Sequence, residues 1–113
     1  MRRIYVAGKY SDNNVIAMQG NMRRGIKLSL DVLRAGFAPF CPWIDFQFGL
    51  HEEITMERYL GYSMSFLEVC DAVLVVSQGY MESKGTLKEI DRAYELGIPV
   101  FYHLHDLIAW SKE

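Results

Sequence analysis

Ala72-Val73-Leu74-Val75-Val76 is apolar at every position. A strand with one face in water alternates apolar and polar residues. A strand apolar throughout is covered on both faces, which is the mark of a parallel sheet whose crossovers are helices. This run therefore sets the frame for the rest of the chain: α/β, with helices on either side of a central strand.

The neighbouring segments fit that frame. Arg3 to Ala7 is a short β-type run that ends at Gly8. Lys9-Tyr10-Ser11-Asp12-Asn13-Asn14 is polar and reads as a loop offering helix-capping side chains. From Asn14 to Arg34, Met18, Met22, Ile26, Leu30 and Leu33 recur at three- and four-residue spacing, which predicts an amphipathic helix closed by Gly36. Phe37 to Cys41 reads as a second buried strand stopped by Pro42, and Pro42 to Glu53 as an aromatic loop with Trp43, Phe46 and Phe48 around Asp45. A second helix follows, with Met56, Leu60, Ser63 and Leu67 on one stripe, and Asp71 closes it. After Val76 come a loop from Ser77 to Lys84, a third helix from about Thr86 to Leu96 with the stripe Leu87, Ile90 and Tyr94, and Gly97 as its cap. Ile98 to Tyr102 predicts a fourth strand, with Pro99 near its start where a missing N–H is tolerated. Asp106 to Lys112 predicts a last short helix.

The order β-α-β-α-β-α-β, with short connections and no repeat, predicts one domain over residues 1–113. The expected fold is a flavodoxin-like or Rossmann-like three-layer α/β domain. Its parallel sheet of about four or five strands takes the order 2-1-3-4 with right-handed crossovers. Ligands of such sheets bind beyond the carboxyl ends of the strands, so the chemistry belongs to the loops at Gly8–Asn14, Pro42–Glu53 and Ser77–Gly85.

Charge narrows the partners. The formal net charge is −2, which gives no electrostatic reason to expect nucleic acid or an anionic membrane. No apolar stretch approaches the roughly 18 residues of a membrane span, and no signal-peptide core follows Met1. Cys41 and Cys70 stand far apart without CxxC or Cys/His spacing, so they read as reduced thiols of a cytoplasmic protein. His103-Leu104-His105 and His51-Glu52-Glu53 lack further ligands at metal-site spacing, so neither a metal nor a cofactor is expected. There is no GxGxxG after the first strand and no GxxxxGK[ST].

The most informative motif is Ser83-Lys84-Gly85-Thr86-Leu87-Lys88-Glu89, placed after a buried strand and opening a helix. Gly85 permits close backbone approach, and a helix N-terminus favours an anion. Glu89, one turn in, is able to point along the same mouth, where a carboxylate can attack an anomeric carbon. Thr86-x-x-Glu89 also fits a capping box, with Glu89 folded back onto a backbone N–H. Spacing alone leaves both open.

Three segments together carry a family resemblance. Ile4-Tyr5-Val6-Ala7-Gly8, Cys70-Asp71 with its apolar strand, and Ser83-x-Gly85-x-x-x-Glu89 followed by Ala93 and Gly97-Ile98-Pro99-Val100 occur in order and register. They resemble the nucleoside 2-deoxyribosyltransferases and the related deoxynucleotide N-glycosidases. Glu57-Arg58-Tyr59-Leu60-Gly61 resembles an uncharacterised, often phage-associated branch of that superfamily. The resemblance implies that Glu89 is the nucleophile at C1′, that Tyr5 orients it, and that Ser83 with Gly85 holds a hydroxymethyl or phosphate group. Gly8, Trp43, Asp45 and Ser63 are the remaining expected substrate contacts, with Trp43 and Phe46 stacking on the base. Tyr5 also fits a plain core aromatic, and Ser83 a plain helix cap. The family usually has an aspartate eight residues before that of its "AD" pair. Here that position is Ser63, which cannot do a carboxylate's acid–base work unaided. Asp45, Glu57 and Asp71 are the candidate stand-ins. Two readings follow: an N-glycosidic-bond-cleaving or deoxyribosyl-transferring enzyme using Glu89, or a module that binds a nucleotide-like metabolite without cleaving it. Either takes a small nucleoside or nucleotide as partner. The resemblance further implies a homodimer or higher homo-oligomer.

Overall fold

A computed structural model describes all of residues 1–113. Four strands, β1 (Arg3–Ala7), β2 (Ala38–Phe40), β3 (Ala72–Val75) and β4 (Val100–Phe101), form one sheet in the order β2-β1-β3-β4. Every pairing is parallel, with Tyr5 opposite Phe40 on one side and Val73 on the other. The order and direction are those expected from the alternating pattern.

Because side chains alternate along a strand, the sheet feeds two cores. Ile4, Val6, Ala72 and Leu74 pack with Val32, Phe37, Trp43 and Leu107. This side is covered by α1 (Val15–Arg34) and α4 (Leu104–Ser111). Tyr5, Ala7, Val73 and Val75 pack with Leu67, Cys70, Ile90 and Ala93, beneath α2 (Met56–Leu67) and α3 (Lys84–Glu95). All four residues of β3 are buried, as its uninterrupted apolar run requires.

Asn14 caps α1, its side chain accepting from the Ala17 N–H at 2.8 Å. Gly36 and Gly97, after α1 and α3, take φ of +96° and +72°, the left-handed conformation that only glycine adopts freely.

The helix stripes differ from those expected. Within α1 the buried residues are Asn21, Gly25, Ser29 and Val32, while Ile26, Leu30 and Leu33 are exposed. A step of four residues advances about 400° around a helix, so a stripe stepping by four drifts off its face by about 40° each time. Met22 accordingly packs on the core, and the later members of the stripe turn to solvent. The buried set is chosen by packing. A Cβ at Gly25 would lie 2.3 Å from Trp43 Cδ2, so the indole rests directly on the helix backbone. On α2 only Ser63 and Leu67 are buried, and Met56 is exposed. On α3 the buried residues are Thr86, Glu89, Ile90 and Ala93, with Leu87 and Tyr94 outside. The segment expected as an aromatic loop is a 3-10 helix over Pro42–Leu50, with Pro42 in its first turn. Pro42 lacks the N–H that a first turn leaves unpaired anyway. The edge strands β2 and β4 are also shorter than the apolar runs suggested.

Candidate active site

A cavity of about 890 Å³ opens where β1 gives way to the β1–α1 loop. Its walls are the 3-10 segment, the first half of α2 and the N-terminal turns of α3. Gly8, Trp43, Asp45, Ser63, Ser83, Gly85 and Glu89 all line it. Tyr5 is fully buried behind that wall.

Glu89 is 8% exposed. Its Oε2 accepts a hydrogen bond from the Tyr5 hydroxyl, so the carboxylate is not folded back on the helix terminus. The terminus is capped instead by Ser83, whose Oγ accepts from the Thr86 N–H at 3.2 Å and from Thr86 Oγ1 at 2.8 Å. The helix therefore starts at Lys84, two residues earlier than expected, and Glu89 is released from capping to face the cavity. Gly85 has no atom within 4 Å of where a Cβ would stand, which leaves backbone accessible beside Ser83.

Tyr5 stacks on Phe40 with ring centroids 5.4 Å apart, which fixes its hydroxyl. Ser63, which stands where the resembled family carries an aspartate, lies close enough to Tyr5 to lower the Tyr5 pKa in part. Burial, and then the charge of Glu89, hold Tyr5 well above the usual phenol range. Burial also pushes Glu89 up to about 7; the Tyr5 hydrogen bond offsets part of this, and the charge of Asp45 adds to it.

Asp45 is the second buried carboxyl of the cavity, also 8% exposed. Burial raises its pKa, and the facing Tyr10 hydroxyl partly counters the rise. The other two candidate acids lie elsewhere. Glu57 is exposed in the first turn of α2. Asp71 is exposed and accepts from the Arg3 N–H at 2.8 Å, which ties β3 to the start of β1.

Trp43 lines the cavity but is 1% exposed, with its ring against Gly25 and its Nε1 donating to the Lys9 carbonyl at 3.2 Å. It anchors the wall. Phe46, 44% exposed on the same segment, is the ring with a free face. Gly8 fits under this anchor, since a Cβ there would stand 2.9 Å from both Trp43 Cζ2 and Val76 Cβ.

Several lining residues were not singled out from the sequence, among them Tyr10, Thr86 and Tyr59. Tyr10 is set by a network in which Asn21 Nδ2 donates to the Tyr10 carbonyl at 3.1 Å and to Asp12 Oδ2 at 3.2 Å. Arg24 in turn donates to Asn21 Oδ1 at 2.5 Å. The available signal was an asparagine and a glycine on what proves to be the inner face of α1. Lys9 lies 3.4 Å from Asp12 and 3.5 Å from Glu82, bridging the β1–α1 and β3–α3 loops. No three His, Cys, Asp or Glu side chains gather as a metal-binding group, and no helix is long and apolar enough to cross a membrane.

Two solved structures share the fold. One is a 2-deoxyribosyltransferase from the psychrotolerant bacterium Bacillus psychrosaccharolyticus, with a TM-score of 0.62 and 18% identity over 87% of this chain and 69% of that one. The other is a conserved protein from Enterococcus faecalis V583, with a TM-score of 0.65 and 19% identity over 88% of this chain and 61% of that one. Both are longer, and at these identities the likeness concerns the fold. Among curated proteins none matches the sequence. The family described as "Domain of unknown function (DUF7768)" matches residues 2–103. That match spans most of the chain, and the protein is a member of the DUF7768 family.

Proposed function

We propose that the protein cleaves the N-glycosidic bond of a nucleoside or nucleotide, releasing the base or transferring the deoxyribosyl group, with Glu89 as nucleophile. The observation that carries this reading is the Glu89 carboxylate, buried at the mouth of a parallel sheet and aimed into the cavity while the Tyr5 hydroxyl holds one of its oxygens. A structural carboxylate would gain nothing from that position, because burial penalises its charged form. A nucleophile gains from it: dry surroundings strip water from the attacking oxygen, and Tyr5 fixes its direction. The volume of about 890 Å³ suits a nucleoside.

In the proposed reaction a Glu89 oxygen attacks C1′ and the C1′–N bond breaks. The glycosyl ester then passes to water or to a second base. Ser83, Gly85 and the start of α3 receive the sugar's hydroxymethyl or phosphate end, and Phe46 faces the base. No metal or cofactor enters this scheme. The free thiols Cys41 and Cys70 fit a reducing, cytoplasmic setting.

Assembly is part of the proposal. Phe40, Phe48, Tyr62 and Phe66 form a contiguous aromatic cluster beside the edge strand β2, with Phe40 and Phe66 stacked at 4.5 Å. Phe48, Tyr62 and Phe66 remain partly exposed, and Ile44 and Leu50 on the 3-10 segment are more so. A patch of this kind marks an interface, and a second copy of the chain seated there would shield the adjacent cavity mouth.

A second reading has one observation in its favour: the superfamily's aspartate position holds Ser63. In that case the pocket binds the metabolite without cleaving it. Purified protein incubated with a panel of ribo- and deoxyribonucleosides and their 5′-monophosphates, read for free base, separates the two. The enzyme reading expects base release that Glu89→Gln abolishes while ligand affinity stays within a few-fold. Binding without release by the wild type would support the module.

A further inference from the structure

Cleavage through a glycosyl ester needs two carboxyls in different protonation states, one ionised to attack and one protonated to release the leaving group. Five carboxyl side chains line the cavity: Asp45, Glu52, Glu53, Glu82 and Glu89. Glu52 and Glu53 are exposed. Glu82 is 77% exposed and lies 3.5 Å from Lys9. That leaves Asp45 and Glu89, both buried, entering the cavity from different elements.

We propose that the Asp45 carboxyl is the proton donor to the departing base, and that Tyr10 is its positioning residue; this rests on the Glu89 reading above. Three features of the fold hold Asp45 in place. Trp43, two residues earlier, is locked onto Gly25 of α1 and hydrogen-bonded to the Lys9 carbonyl. Tyr10, facing Asp45, is held through its carbonyl by Asn21 of the same helix. The Pro42–Leu50 segment is a hydrogen-bonded 3-10 helix rather than a free loop. Ser63 does not compete for the role, since a serine hydroxyl near neutral pH cannot do a carboxyl's acid–base work unaided.

The charge of Asp45 raises the Glu89 pKa, so an ionised Asp45 opposes the ionisation of Glu89. Burial raises both carboxyls in the free protein. A base seated against the Asp45 wall displaces water there and offers a nitrogen acceptor to a protonated Asp45. Tyr5 meanwhile favours the ionised form of Glu89. The bound state thus favours a protonated Asp45 beside an ionised Glu89.

The step balances. A Glu89 oxygen forms a bond to C1′, the C1′–N pair moves to the base, and the Asp45 proton goes to a ring nitrogen of that base. Asp45 is left as carboxylate. It then takes a proton from water as the resulting hydroxide attacks C1′, which returns Glu89 as carboxylate and restores the Asp45 acid.

The test compares leaving groups. Base release from 2′-deoxyadenosine and its 5′-monophosphate is measured beside nitrophenolate release from 4-nitrophenyl 2-deoxyriboside, whose leaving group departs without a proton. Asp45→Asn is expected to lose about 10²–10⁴-fold on the adenine substrates, a general acid's contribution, and only a few-fold on the nitrophenyl glycoside. Glu89→Gln is expected to lose both. An Asp45→Asn variant that matches wild type on the adenine substrates, or falls equally on both classes while unfolding at the wild-type temperature, overturns the proposal. So does a wild type active only on the nitrophenyl glycoside. A wild type inactive on all three overturns the Glu89 reading itself. Tyr10→Phe tests positioning through the pH profile. The groups facing Asp45 are Tyr10, Cys41 from the start of its own segment and Glu89 from α3, with Tyr59 behind Tyr10. Because Tyr10 lowers the Asp45 pKa, its loss is expected to move the alkaline limb to higher pH. An unmoved limb assigns Tyr10 no such part.

Discussion

At the scale of single residues, burial of Glu89 carries a cost in stability. Its ordinary pKa of 4.5 rises to about 7 in the fold, so between these values the native state keeps a proton that the unfolded chain has released. Stability from this source is full below about pH 4.5, falls as pH rises, and is lost by pH 7 and above, by on the order of 3 kcal/mol. Glu89→Gln keeps the acceptor for Tyr5 and removes the charge. Thermal unfolding should therefore show the variant more stable than wild type at pH 8 by about 2–3 kcal/mol and nearly equal to it at pH 4.5; equal stability at both would mean the carboxylate is solvated. Tyr5→Phe removes a hydrogen bond that lowers the Glu89 pKa, so more of the Glu89 carboxyl is protonated near neutrality. Its base-release profile should shift its acidic limb to higher pH and fall in rate at pH 7.

Among the elements, α1 and α3 show how far the sequence carries. The start of α1 and the ends of both helices are readable from Asn14, Gly36 and Gly97, because caps and left-handed glycines are local chemistry. Their buried faces are not. On α1 the inner face is Asn21, Gly25, Ser29 and Val32, small and polar because an indole and a loop must come close to it. Apolar periodicity points instead to a stripe that half faces water. On α3 the inner face includes Thr86 and Glu89, which look like surface residues until the cavity above them is known. The Ser83–Glu89 motif marked the site through resemblance, whereas Tyr10 and Asn21 gave no comparable signal. Two substitutions test this account of α1. Gly25→Ala puts a Cβ 2.3 Å from the Trp43 ring and should destabilise by on the order of 3 kcal/mol, since neither backbone nor buried indole can yield cheaply. Asn21→Ala frees the Tyr10 carbonyl and should cost about 1–2 kcal/mol in urea unfolding.

For the whole molecule, the uninterrupted run of β3 and the alternation of elements were enough to give the parallel order β2-β1-β3-β4, since handedness and crossover rules leave few alternatives. They say nothing of assembly, which depends on the exposed aromatic cluster at the β2 edge. Light scattering should give twice the chain mass of 13.1 kDa or more, and Phe66→Glu should lower it to one chain by placing a charge in the stack with Phe40. A monomer at high concentration in the wild type would remove the assembly from the account. The proposed glycosyl ester on Glu89 is tested most directly by mass spectrometry. The substrate is a nucleoside whose 2-fluoro substituent slows the oxocarbenium-like second step more than it hinders trapping. The account expects wild type to gain the mass of one fluorinated sugar, located on the peptide bearing Glu89, and Glu89→Gln to gain nothing. Release of base with no adduct, or an adduct on any other residue, would contradict it.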